Sequence, residues 1–209
     1  MRGKDIGESK TNKELSYSFK MGNKLVKLEK EWVNHPKLYI PIQKHTNRVI
    51  LLSTFPSPPV IADAVITNLK GISVGVKTAD CAGVVLIGSD YVAVAHVGWR
   101  GLASGIIERL IKRFSDLEDI GSVFAFVGPS AKGCCYEVGE EFKNLFPGKV
   151  IERNGRLFMD LQTAVVEELR ELGILNVGVY EKCTICTPEL PSFRRDKTEE
   201  RILTSVTIL

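Results

Sequence analysis

His96 interrupts an apolar run, "VAVAHVGW", shortly after the Asp80–Cys81 pair of "TADC". The chain holds only three histidines and five cysteines, and imidazole nitrogen and thiolate sulfur are the donors that zinc and copper accept. His45 follows the strand-like "YIPIQK" and opens an "HTNRV" turn. His96 ends a strand just before a Gly98–Trp99–Arg100–Gly101 turn into a helix, where side chains point into clefts and helix amides can hold an anion. His45, Cys81 and His96 together make a plausible three-ligand zinc site. Such a set keeps a fourth position for water, which a metal can turn into a nucleophile. Their spacing does not separate this reading from a hydrogen-bonded core histidine and a small buried cysteine. His35, in "VNHPK", reads as a solvated turn residue.

Two further stretches carry thiols. In "VGPSAKGCCYEVGEEF", Cys134 and Cys135 precede an expected helix, a position that lowers a thiol pKa; as a plain turn, the two would merely pack. In "KCTICTPELPSFRRD", Cys183 and Cys186 have C-x-x-C spacing. No second C-x-x-C accompanies them, so two ordinary loop thiols are expected rather than a structural zinc site. Arg194 and Arg195 have the fork geometry for phosphate or carboxylate, or form surface ion pairs.

These residues must be held by short Val/Ile-rich strands, read at "KLYIPIQ", "RVILLS", "DAVITN", "SVGVKT", "GVVLIG", "YVAVAHVG", "VFAFVGP", "RLFMDL", "NVGVYEK" and "ILTSVTIL". Three helices are expected. "RGLASGIIERLIKRF" repeats Leu102, Ile106, Leu110 and Phe114 on one face. "VGEEFKNLF" carries Val138, Phe142, Leu145 and Phe146. "DLQTAVVEELRELG" has Asp160 as N-cap, Gly173 as stop and a stripe of Leu161, Val165, Leu169 and Leu172. The pattern predicts a single α+β domain over 1–209, built as a layered mixed sheet with three main helices.

At 209 residues, with 44% hydrophobic and 25% charged residues and a net charge of +3, the composition is that of a globular protein. No run approaches a membrane span of roughly 20 apolar residues, and the polar N-terminus lacks a secretory core, so a cytoplasmic protein is expected. Basic residues are scattered, which argues against nucleic acid as partner.

Taken in order, "QKHTNRV", "DAVITN", "TADCAGVVL", "AHVGWRGLASGII", "GPSAKGCCYEVGEEF", "MDLQTAVVEELRELGI" and "SFRRD" resemble the YfiH-like family, long labelled laccase-domain or multicopper polyphenol oxidase. The likeness runs over roughly residues 40 to 200 and is most specific at "TADC" with "AHVGWRG". It implies the fold shared with cysteine-hydrolase-like toxins, and a metal, usually zinc with copper as the alternative, held by His45, Cys81 and His96. It also implies phosphorolysis of adenosine, inosine or guanosine to base and ribose 1-phosphate, with adenosine deamination and methylthioadenosine cleavage in some members. Purine nucleoside and phosphate are then the partners. Cys81, His96 and Asp80 are the catalytic candidates, Asp80 as proton carrier or orienting group. Arg48 and Arg100 are candidates for phosphate, and Cys135 and Tyr136 for the nucleoside pocket. A Cys81–His96 hydrolase uses the same residues without metal. A multicopper oxidase would need more histidines than the chain has. Gly83, where the family usually carries proline, is expected to loosen the start of its strand.

Overall fold

The computed structural model describes residues 15–30 and 36–209, so His35 and the polar stretch up to residue 14 lie outside the described residues. In chain order the strands are β1 (Ser16–Met21), β2 (Lys24–Glu29), β3 (Leu38–Tyr39), β4 (Val49–Leu52), β5 (Ala64–Thr67), β6 (Ser73–Thr78), β7 (Ala82–Ile87), β8 (Val92–Val97), β9 (Phe124–Val127), β10 (Glu137–Val138), β11 (Val150–Arg153), β12 (Arg156–Met159), β13 (Asn176–Val179) and β14 (Ile202–Ile208). The helices are α1 (Trp99–Ala103), α2 (Ile106–Ser115), α3 (Glu141–Leu145), α4 (Leu161–Glu171) and α5 (Phe193–Asp196). The class is α+β, as the sequence predicts, with five helices among the described residues where three main ones were expected.

A six-stranded sheet runs β13-β9-β7-β8-β5-β4, a five-stranded sheet β1-β2-β14-β6-β3, and a small three-stranded sheet β10-β12-β11. Both large sheets are mixed. In the six-stranded one, β13 with β9 and β4 with β5 are parallel, and the remaining pairs are antiparallel. Every residue of β7 and β8 is buried. A strand covered on both faces reads as a nearly continuous apolar run, which explains "AGVVLI" and "VAVAHV".

The period-2 alternation divides those two strands between two cores. Val84, Leu86, Ala93 and Ala95 pack with Leu110 and Phe114 of α2 and Leu169 of α4. Val85, Ile87, Val92 and Val94 pack with Val26, Leu28, Val76 and Val206 of the five-stranded sheet. By the same count His96 faces the second sheet, at the end of the strand where the apolar core gives way to polar side chains.

The stripe Leu102, Ile106, Leu110 and Phe114 is buried throughout, but its helix is two helices. Gly105 takes the left-handed conformation, φ +77, and ends the first turn before α2 begins. The helix expected from Val138 starts only at Glu141. Val138 belongs to β10, and Leu145 is 43% exposed instead of part of a buried face. The third helix forms as expected, with the Asp160 carboxylate accepting the Thr163 amide at 2.9 Å and Gly173 left-handed just past its end.

Gly83 does not loosen its strand. It pairs with His96 in the regular β7–β8 ladder, and a Cβ on it would stand 2.2 Å from Thr204 Oγ1 of β14. The missing side chain lets the two sheets close on one another. Among the described residues no helix is long and apolar enough to cross a membrane.

Candidate metal centre and adjoining cleft

Three chain segments meet at one end of the sheet interface. His45 lies in the loop between β3 and β4, in a left-handed conformation with φ +56. Cys81 is the residue before β7, and His96 is the penultimate residue of β8. Their donor atoms all lie within 4.8 Å of one another. Cys81 Sγ is 3.9 Å from His45 Nε2, and the two imidazoles meet edge to face with centroids 4.7 Å apart. The structure therefore brings together the three residues that the sequence reading grouped.

Register explains the convergence. Ala82 pairs with Val97 across the β7–β8 ladder, which sets Cys81 beside Gly98. A Cβ on Gly98 would come within 2.7 Å of Cys81 Sγ and 3.1 Å of His45 Cδ2. Glycine at this position leaves the space in which the thiol and the first imidazole face each other.

Asp63 is the functional residue that the motif reading did not assign. It precedes β5, is fully buried and lies 2.7 Å from His96 Nδ1 through Oδ1. The same carboxylate accepts the amides of Lys44, His45 and Thr46 at 3.2, 3.0 and 2.7 Å and the Thr46 hydroxyl at 2.7 Å. One side chain thus orients His96 and ties down the loop that carries His45. An acid directly before the apolar run Ala64–Val65–Ile66, in "IADAVITN", was the available signal.

The electrostatics follow from these contacts. Burial raises the Asp63 pKa, but hydrogen bonds from His96 and Thr46 outweigh it and hold the carboxyl well below the usual range. Burial works against charge on His96, yet its hydrogen bonds to Asp63 and Cys81 hold its pKa up at about 9. Cys81 is raised by burial and lowered more by His45 and His96, ending at about 7. With Nδ1–H donated to Asp63, Nε2 is the His96 nitrogen left for a ligand once its own proton is displaced, an arrangement common behind metal-binding histidines. The donor set of two imidazoles and an acidified thiol fits zinc or copper.

Asp80, next to Cys81, is also left-handed, with φ +80. Its carboxylate accepts the Thr184 hydroxyl at 2.7 Å and the Arg194 amide at 2.6 Å, and its carbonyl accepts the Ala131 amide. It anchors the Cys81 turn to two neighbouring loops.

A cleft of about 570 Å³ is lined by Trp99, Arg100, Tyr136, Glu137, Phe142 and Arg194, among others. Trp99 directly follows Gly98, and the charges of Cys81 and Asp80 bear on Tyr136, so the cleft adjoins the His45–Cys81–His96 group. Arg100 lies over the Trp99 ring at 4.2 Å and Arg194 over Tyr136 at 5.0 Å. Tyr136 is raised to about 12, chiefly by burial, so its phenol stays protonated. Two other candidates lie apart. Arg48 lines a separate cleft with Val49, Arg109 and Arg113. Cys135 points its thiol toward Cys134, Cys183 and Cys186. Arg195 binds the carbonyls of Thr184, Ile185, Thr187 and Leu190, which uses its guanidinium within the fold.

Comparison with known proteins agrees with this picture. A family model described as multi-copper polyphenol oxidoreductase laccase matches residues 23–208. A purine nucleoside phosphorylase of Aquifex aeolicus is 54% identical over 195 residues, covering 93% of this chain and 94% of that protein. The purine nucleoside phosphorylase YfiH of Escherichia coli is 29% identical over 177 residues, covering 80% of this chain and 72% of its own. A solved Neisseria meningitidis protein has the same fold, with a TM-score of 0.80 at 20% identity, covering 93% of this chain and 98% of that one.

Proposed function

We propose, because this chain belongs to the multi-copper polyphenol oxidoreductase laccase family, that it is a metal-dependent purine nucleoside phosphorylase acting on adenosine, inosine or guanosine. The observation that carries the reading is the meeting of His45, Cys81 and His96 beside a cleft that offers both aromatic faces and arginines. The relatives named above as purine nucleoside phosphorylases support it.

His45, Cys81 and His96 would hold the metal, with zinc the preferred ion and copper the alternative. When bound, the metal supplies Lewis-acid polarisation of a substrate atom. The chain's own residues do the rest. Asp63 fixes the His96 tautomer and the His45 loop. Trp99, Tyr136 and Phe142 present apolar surface against which a purine can be buried, and a cleft of this size suits a nucleoside. Arg100 and Arg194 attract phosphate. In phosphorolysis a phosphate oxygen bonds to the anomeric carbon as the glycosidic C–N bond breaks. The base leaves with the bonding electrons and takes the proton that hydrogen phosphate sheds, through an oxocarbenium-like state. The protonated Tyr136 phenol is a hydrogen-bond donor at the cleft wall. Asp80, whose carboxylate is already shared by Thr184 and Arg194, serves as an orienting group for Cys81. Deamination or methylthioadenosine cleavage would use the same cleft.

A second reading has its own observation. Asp63, His96 and Cys81 line up as orienting carboxylate, imidazole and acidified thiol, the arrangement of a cysteine hydrolase. Oxidation of phenols at a multicopper centre is disfavoured, because three histidines cannot furnish such a centre.

The test is product analysis with adenosine in the presence and absence of phosphate. Adenine formed only with phosphate is expected. Inosine in both cases would make the chain a deaminase. No turnover, with covalent modification of Cys81 by an acyl substrate, would favour the hydrolase.

A further inference from the structure

Four of the five cysteines form a second group. The sulfurs of Cys134, Cys135, Cys183 and Cys186 all lie within 4.8 Å of one another, with Cys134 and Cys186 at 3.2 Å, and all four are free thiols. The sequence reading treats Cys183 and Cys186 as two ordinary loop thiols; the fold sets them beside two more. The missing half of the set is the adjacent pair Cys134–Cys135, delivered by a different loop.

The backbone presents these sulfurs without help from them. Ser130 bridges to Cys183 in parallel fashion, and the Thr184 amide donates to the Ser130 carbonyl at 3.1 Å. The Thr187 amide donates to the Cys183 carbonyl at 3.1 Å, closing the C-x-x-C turn. Arg195 gathers four carbonyls of that same loop. On the other side, the Arg153 guanidinium binds the carbonyls of Gly133 and Cys134. Both loops are therefore held in place while four thiols crowd one point.

Left as thiols, the group is poorly compensated. Burial and the neighbouring sulfurs push Cys134 and Cys135 up, while Cys135 and Cys134 draw Cys186 down. A soft divalent cation resolves such crowding. Tetrahedral zinc with Zn–S near ~2.3 Å sets its sulfurs ~3.8 Å apart, a spacing this group reaches with small shifts.

We propose that Cys134, Cys135, Cys183 and Cys186 form a closed, four-thiolate structural zinc site, separate from the His45–Cys81–His96 group. Binding is a proton exchange with no redox step. Zn²⁺ displaces the protons carried by the thiols, which pass to solvent, and the resulting site has a net charge of −2. Arg153, already bound to the Cys134 carbonyl, supplies adjacent positive charge. Four protein ligands leave no open position, so the ion's role is to staple loops. The staple joins the turn that leads into Tyr136 to the loop whose Thr184 holds Asp80. It therefore braces both the cleft wall and the Cys81 turn. One cluster of four, rather than two separated pairs, favours a single ion over two disulfides.

The test removes the first site to expose the second. His45→Ala/His96→Ala protein, made in zinc-supplemented medium and dialysed, should retain a full equivalent of zinc by mass spectrometry. Adding Cys183→Ser and Cys186→Ser should abolish it. Because those variants can fail to fold, the wild-type chain provides a parallel measurement. Cobalt exchanged into it should show thiolate-to-cobalt charge-transfer of a four-thiolate intensity, and Cys134→Ser should reduce it to the weaker single-thiolate band of the His45–Cys81–His96 group. Thiol titration of unfolded, chelated wild-type protein should recover every cysteine in reduced form. A metal-free histidine variant, iron in place of zinc, or a shortfall of titratable thiols that reduction restores would each overturn the proposal.

Discussion

His96 Nδ1 lies 2.7 Å from Asp63 Oδ1, and the amide of His45 donates to the same Asp63 oxygen at 3.0 Å. Two imidazole-bearing residues from distant segments are thus set by one buried carboxylate. Asp63→Asn keeps the shape but loses the charge that holds His96 in its tautomer. Zinc affinity at the His45–Cys81–His96 group should fall about 10–100-fold. A competitive chelator titration measures it, and unchanged affinity would remove Asp63 from its positioning role.

Gly98→Ala places a methyl 2.7 Å from Cys81 Sγ and 3.1 Å from His45 Cδ2. The backbone φ at Gly98 is −93, so alanine is conformationally permitted and the damage is local. The expected result is a loss of metal affinity of roughly 10-fold or more, with the thermal midpoint changed by only about 2–4 °C. Circular dichroism melts beside the same titration separate the two effects.

Arg100 lies over Trp99 at the rim of the cleft. If it meets phosphate, Arg100→Ala removes a charge-assisted hydrogen bond worth about 1.5–3 kcal/mol. KM for phosphate should rise roughly 10–100-fold, while KM for the nucleoside changes little. Initial rates over a phosphate series decide it; equal effects on both substrates would assign Arg100 to packing.

Glu168 gives a pH signature remote from the chemistry. It sits on α4, where burial raises its pKa to about 7 from an ordinary 4.5, against the lowering effects of Lys149 and the Glu108 amide. Between those two values the folded chain binds the extra proton, so stability falls as pH rises through the window. Glu168→Gln removes that slope. The variant should be more stable at pH 8, by on the order of 1–2 kcal/mol after discounting for solvent around the half-buried side chain, and the gap should close by pH 4. Scanning calorimetry at both pH values checks it.

The sequence was most legible where a residue's role is local or carried by a motif. The Asp160 cap, the Leu102–Phe114 stripe and the grouping of His45, Cys81 and His96 all appear in the structure. Less was legible where a role depends on partners far along the chain. Asp63 looked like an ordinary strand start because its meaning lies in the amides of residues 44–46 and in the ring of His96. The pairing of Cys134–Cys135 with Cys183–Cys186 spans two loops that only β9 and β13, side by side in one sheet, bring together. Strands β1 and β2 were missed for another reason. "SYSFKM" alternates in period 2, and a Gly22–Asn23 turn with Gly22 left-handed at φ +60 joins it to "KLVKLE", whose burial alternates although its sequence does not. That is a hairpin signal, set within a segment that reads as polar.

The most direct test is ribose 1-phosphate formation from adenosine and phosphate by wild-type and His96→Ala protein, with zinc in excess and folding checked by circular dichroism. The wild-type chain should form it, and the variant should be slower by about 10³-fold or more, the scale of loss when a reaction-specific interaction is removed. Equal rates in the two proteins would contradict a site built on His45, Cys81 and His96. Absence of product from a folded, zinc-loaded wild type would contradict phosphorolysis itself.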